Sequence, residues 1–183
     1  AVQCYQQAIA YKPDYAKAYN NWGNVYRDDG DLPAAIHHYD RAIAIEPQFA
    51  EAHWNKALTL LIGGDLKQGF VEYEWRWQVN LPSFQAMRSF PGPLWDGAPL
   101  NGKTILLHAE QGMGDILQFV RYVPLVQKQG GRVILECHSP LINLLRTLPD
   151  LVDVIPYGST PPAFDDHAIP LTLPHTFSTT LDT

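Results

Sequence analysis

The feature that most constrains this chain is internal repetition with a period of 34 residues. Shifted by that amount against itself, the sequence aligns Pro13 with Pro47, Ala16 with Ala50, Ala18 with Ala52, Asn21 with Asn55 and Gly30 with Gly64. Asp31, Leu32 and Tyr39 likewise fall on Asp65, Leu66 and Tyr73. Backwards, Ala1, Tyr5, Ala8 and Ile9 fall on Ala35, Tyr39, Ala42 and Ile43. Each unit reads as two short helices, one over about 16–29 and one over about 33–45. Gly30 suits the left-handed residue that ends a helix. Asp31 suits the cap of the next helix, and Pro33 its first turn. Small residues (Ala16, Gly23, Ala35, Ala42) let the helices approach, while Trp22, Tyr26, Tyr39 and Ile43 fill the space between. In this register Ala1 lies inside the second helix of a unit. Since such units bury their faces only by stacking, further repeats are expected before it.

This pattern of small and large residues resembles the tetratricopeptide repeat. That resemblance implies a concave groove lined by first helices, and hence a peptide or protein partner. Asn21 and Asn55 share one repeat position, and Asn20 and Asn24 flank the former. Their amides are expected to hydrogen-bond an extended peptide backbone, in a manner similar to the asparagine ladder of the O-linked N-acetylglucosamine transferase family. The other reading is that the four are solvated surface residues.

After the aromatic stretch 70–77, prolines and glycines (Pro82, Pro91, Gly92, Pro93, Gly97, Pro99, Gly102) forbid a long helix and mark a boundary. The expected organisation is repeats over 1–80, a linker over 81–101, and a second domain over 102–183. Trp77 and Trp95 are expected to anchor the connector in a core, a sugar-stacking platform being the other use of such rings. From Lys103 the texture alternates between strand and helix. Strands are predicted at 104–107, 132–136, 152–155 and 168–171. Helices are predicted over 116–129, interrupted by Pro124, and over 141–148, capped by Ser139 with Pro140. That alternation predicts a parallel sheet. The fold class is thus α plus α/β: helical hairpins followed by a partial Rossmann-like domain.

Charge and composition narrow the function. The 183 residues carry 13 basic and 19 acidic side chains, net −6. Residues 1–100 hold 8 and 11, and the rest 5 and 8, so each part is −3 and neither has the basic excess of a nucleic-acid binder. No apolar run approaches the length of a membrane span. Cys4 and Cys137 lie far apart, so no disulfide framework is indicated and a reducing cytoplasm is expected.

Open parallel sheets bind ligands beyond the carboxyl ends of their strands. The turn delivered there by the first strand is His108, Ala109, Glu110, Gln111, Gly112, Met113, Gly114 and Asp115. A dinucleotide site would use Gly112-Met113-Gly114 with Glu136 on a ribose. Leu117 occupies the third glycine position, however, and Asp115 sets a negative charge where a pyrophosphate would sit. Asp115 suits a general base for a hydroxyl acceptor, or a helix cap. His108, Glu110, Cys137 and His138 lack metal-ligand spacing, and no nucleophile–His–acid triad is evident.

The run from Ile105 through Gln111-Gly112-Met113-Gly114-Asp115, with Pro124 and the strands at 133–136 and 152–156, is similar to the opening of the heptosyltransferases. The chain as a whole resembles the bacterial tetratricopeptide-repeat glycosyltransferases, with Trp95-Asp96-Gly97 as the linker. The resemblance implies a GT-B arrangement, in which Asp115 is the base and His108, Gln111, Gly112, Met113 and Gly114 contact the acceptor. It also implies a nucleotide-sugar donor bound by a second domain outside this chain, and no resident metal or cofactor. The chain alone is then expected to be inactive. The competing expectation is a non-enzymatic repeat scaffold.

Overall fold

The computed structural model describes residues 2–79, 88–110, 112–149 and 151–183. Two compact units result: Ala1–Gln85 with Thr179–Thr183, and Ala86–Ser178. The first contains α1 (Val2–Tyr11), α2 (Ala16–Asp28), α3 (Leu32–Ile45), α4 (Ala50–Ile62) and α5 (Leu66–Tyr73), then a 3₁₀ turn at Glu74–Gln78. The repeat boundaries are built twice in the same way. Gly30 and Gly64 both adopt φ +85. The amides that follow, of Asp31 and Asp65, reach back to the carbonyls of Tyr26 and Leu60 at 2.9 and 3.0 Å. Each aspartate then caps the next helix, accepting from the Ala34 and Gln68 amides at 3.1 Å. These bonds satisfy backbone groups that a helix end otherwise leaves open.

Between the helices the predicted small residues are buried. Ala16, Ala42, Phe49 and Ala52 form a cluster with Tyr19, Ile43 and Ile45 packed on it. Tyr39 is 0% exposed, and its hydroxyl donates to Asn24 Oδ1 at 2.9 Å. Charged groups tie the second repeat together: Lys56 Nζ lies 2.9 Å from both Asp40 and Glu72. His53 Nδ1 meets Glu72 at 2.6 Å, and its ring stacks on Trp75 at 3.8 Å.

The second unit is a parallel sheet of β1 (Thr104–Leu107), β2 (Arg132–Cys137), β3 (Asp153–Pro156) and β4 (Asp166–Ala168), in the order β3-β2-β1-β4. β1 pairs with β2 from Thr104↔Arg132 and with β4 from Ile105↔Asp166. Strand side chains alternate between faces. Leu106, Ile134 and Ile155 therefore share one face, where Phe90 and Phe164 pack on them. After β1 come α6 (Met113–Phe119), a 3₁₀ turn at Val120–Tyr122, and α7 (Val123–Lys128). The interruption expected in the helix over 116–129 thus falls just before Pro124, a residue with no amide for the preceding turn. After β2, a 3₁₀ turn at Ser139–Leu141 leads into α8 (Ile142–Leu145). The last element is α9 (Leu173–Thr176).

Three expectations are corrected. The fourth strand ends at Ala168 rather than continuing to 171, since Pro170 opens a 3₁₀ turn at Pro170–Thr172 and cannot donate to a ladder. Ser139 makes no cap; His138 precedes the turn and Ser139 lies within it. Residues 88–101 are part of the second unit rather than a linker. Leu94 bridges His167, the Trp95 amide donates to the His167 carbonyl at 2.8 Å, and Leu100 is buried. The earlier part of the predicted linker, 81–87, lies outside the described residues. Trp95 is buried, with Nε1 donating to the Ala98 carbonyl at 2.8 Å. It serves the core rather than a ligand.

Candidate functional site

In the order β3-β2-β1-β4 the direction of winding reverses between β1 and β4, and in open parallel sheets ligands bind beyond the carboxyl ends of the strands at such a reversal. The turn from β1 to α6 leads from this edge. Asp115 is the third residue of α6, and its Oδ2 accepts the Gly112 amide at 3.0 Å. That bond fixes the carboxylate at the helix start, where the helix dipole favours a negative charge. Oδ1 has no hydrogen bond among the described residues. Capping therefore engages one oxygen and leaves the other.

The two glycines of this turn are not there for backbone conformation. Gly112 has φ −72 and ψ 173, and Gly114 is helical rather than left-handed. A Cβ on Gly114 would meet nothing within 4 Å, and one on Gly112 only Asp115 Oδ2 at 3.7 Å. A tight turn does not require them; what they provide is open space beside Asp115. Met113 is exposed next to them. Gln111 lies outside the described residues.

His108 is buried at the end of β1. It is 3% exposed, its Nε2 meets His167 Nδ1 at 3.2 Å, and its ring packs 4.5 Å from Phe90. Burial, with the nearby His167 and Arg88, pushes its pKa down to about 3. A neutral, internally bonded imidazole brings no charge to a phosphate, and this burial favours the other reading of His108, a satisfied core histidine, over an acceptor contact. Burial also lowers the pKa of His167, against a Gly92 backbone bond and the Asp166 charge.

The residue that sequence reasoning assigned elsewhere is Glu136. It is 1% exposed, too deep for a ribose. Its oxygens accept from the Ala109 amide at 3.2 Å, the Gly158 amide at 3.1 Å, and Arg88 Nη2. One carboxylate thus joins the ends of β1 and β3 to the segment before Phe90. The only signal in the sequence was an acid amid the apolar residues of a predicted strand, a position that rarely holds one without partners. Among the described residues no group of three His, Cys, Asp or Glu side chains is arranged to hold a metal ion, so His108, Glu110, Cys137 and His138 do not form such a set.

In the repeats the asparagine strip is largely consumed by the scaffold. Asn20 is 5% exposed, and its Oδ1 accepts from Asn55 Nδ2 at 3.0 Å. Asn55 Oδ1 in turn accepts from Arg27 at 3.4 Å, and Asn24 Oδ1 is taken by Tyr39. The expected ladder is corrected accordingly: close helix packing turns neighbouring amides toward each other. Asn21 alone of the four is exposed. Both sequence-based alternatives, a peptide ladder and solvated residues, missed this because the bonds cross between repeats.

Residues 1–26 and 23–61 match the family model for the TPR repeat, and the chain contains such repeats. Protein FlbA of Caulobacter vibrioides is 30% identical over 126 residues, covering 66% of this chain; the chain spans 20% of that relative's length. Among solved structures, MamA is similar at 28% identity over 42% of this chain and 45% of its own, with a TM-score of 0.40. A Thermobaculum terrenum O-GlcNAc transferase mutant is similar at 15% identity over 84% of this chain and 36% of its own, with a TM-score of 0.41. No helix among the described residues is long and apolar enough to cross a membrane.

Proposed function

We propose that this chain is the acceptor-side portion of a nucleotide-sugar-dependent glycosyltransferase, whose tetratricopeptide repeats bind a protein partner and whose Asp115 is the general base. The observation that carries it is Asp115 at the start of the helix that follows β1, with one oxygen held by Gly112 and the other without a hydrogen bond among the described residues, beside a glycine that the fold does not need. In the step proposed, Asp115 Oδ1 takes the proton of an acceptor hydroxyl. The hydroxyl oxygen bonds to the anomeric carbon as that carbon's bond to the nucleotide diphosphate breaks, and the diphosphate leaves with the electron pair. The sequence resemblance to heptosyltransferases over this turn supports the same assignment, with the donor held outside these residues.

The test is release of nucleoside diphosphate by the full-length protein, across a panel of nucleotide-sugars and hydroxyl acceptors. Asp115→Asn is expected to lower kcat by about 10²- to 10⁴-fold and to leave partner binding by the repeats unchanged. Unchanged turnover would overturn the proposal. A non-enzymatic scaffold is the second reading, favoured by the Asp115–Gly112 bond, which by itself accounts for an aspartate at that position. Under it Asp115→Asn would change the stability of α6 little, since an amide oxygen can still accept the Gly112 amide, and no nucleotide-sugar would turn over.

A further inference from the structure

Glu136 has a partner that neither function employs. Arg88 is bound through Nη2 to Glu136, and its guanidinium lies over two rings, Phe90 at 4.9 Å and Tyr157 at 4.6 Å. Three groups from separate segments thus fix one side chain at the carboxyl ends of β2 and β3. A guanidinium carries five N–H donors in a planar fork. Here Nη2 alone is hydrogen-bonded among the described residues, Nε and Nη1 have no acceptor among them, and the side chain is 29% exposed.

Glu136 does not behave as a full counter-ion. Its oxygens also accept two backbone amides, which draw on the same negative charge. The positive charge of Arg88 still acts on its surroundings, since it is among the causes that keep His108 neutral. An arginine lying over two rings, partly exposed and with donors that have no acceptor among the described residues, is suited to a planar or tetrahedral oxyanion.

We propose that Arg88 is an oxyanion-recognition residue that binds a phosphate group at the carboxyl edge of the sheet, with Glu136, Phe90 and Tyr157 as its positioning residues. The assignment does not depend on sugar transfer, because binding needs no turnover. The phosphate is either inorganic or part of a nucleotide, and both offer the same oxygens to the fork.

Isothermal titration of the full-length protein with inorganic phosphate, and separately with a nucleoside diphosphate, tests this at fixed ionic strength against a chloride control. Arg88→Gln is expected to weaken phosphate binding about tenfold or more, and Arg88→Lys to recover only part of it, since an ammonium lacks the fork. Because Arg88→Gln leaves a buried carboxylate short of a partner, the double variant Arg88→Gln with Glu136→Gln serves as the folded comparison. It replaces the ion pair with two uncharged amides, so that no buried charge is left unpaired, and should show the same loss. A nucleoside diphosphate that binds tighter than inorganic phosphate, through Arg88, identifies a nucleotide as the source; equal binding identifies free phosphate. Wild-type protein that binds neither above the chloride control, or a folded double variant that binds as well as wild type, overturns the assignment.

Discussion

Gly23→Ala pits helix propensity against packing, and the structure predicts which wins. Within a helix, alanine is favoured over glycine by about 1 kcal/mol, so the exchange would stabilise α2 in isolation. A Cβ at Gly23, however, would lie 2.6 Å from Tyr39 Cε1 and 2.8 Å from Cδ1, well inside van der Waals contact. Tyr39 is fully buried, and its hydroxyl is anchored on Asn24. The ring must therefore move and strain or release that bond. Overpacking of a core costs about 1–3 kcal/mol, and a lost buried hydrogen bond about 1 kcal/mol more. The expected net effect is destabilisation by about 1–3 kcal/mol, a fall in Tm of roughly 2–12 °C for a chain of this size. The next repeat sharpens the expectation. It carries Ala57 at the equivalent position, where the counterpart of Asn24 is Leu58, which cannot accept a hydrogen bond from a tyrosine. Tyr39→Phe should therefore free the ring and reduce the cost of Gly23→Ala, giving a coupling that a double-mutant cycle detects. Thermal unfolding followed by far-UV circular dichroism reads all four proteins. Gly23→Ala as stable as wild type, or additive with Tyr39→Phe, would refute the reasoning.

Gly114→Ala is expected to raise stability by about 0.5–1 kcal/mol, because it adds helix propensity at a position with open space, yet to lower sugar transfer at least tenfold by filling the room beside Asp115. Thermal unfolding and diphosphate release measure the two arms, and a destabilised variant would contradict the geometry. His108 gives a pH signature. Its ordinary pKa of 6.5 falls to about 3 in the fold, so between those values the unfolded chain binds a proton that the folded one does not. Stability should fall as pH drops from about 6.5 toward 3, by at most about 1.4 kcal/mol per pH unit from this group. Urea unfolding across that window should show a shallower slope in His108→Gln than in wild type; parallel slopes would count against the buried neutral histidine.

The repeat boundaries were legible because they rest on short-range chemistry. Gly30 with Asp31 and Gly64 with Asp65 form left-handed caps and side-chain caps within a few residues of themselves, so spacing alone carries the information. The helix break before Pro124 has the same local origin. The end of β4 was misread because Ile169 and Leu171 continue an apolar run, whereas Pro170 withdraws the donor a ladder needs. In the candidate site, Asp115 was legible as a cap because its partner Gly112 is three residues away. His108 and Glu136 were not, because their partners His167, Gly158 and Arg88 lie 59, 22 and 48 residues distant.

The sequence by itself determined two things: stacked helical hairpins, through a 34-residue period, and a parallel sheet, through alternating strand and helix. Periodicity and capping are properties of neighbouring residues, and they act before any long-range contact forms. The tertiary structure alone decided what the polar side chains do. Burial converts a polar group from a solvated one into one that must find a partner, and which partner it finds depends on segments that only the completed fold brings together. Asn20 met Asn55 across a repeat, and His108 met His167 across the sheet. Glu136 collected Arg88 and two backbone amides, while Asp115 kept one oxygen without a hydrogen bond among the described residues.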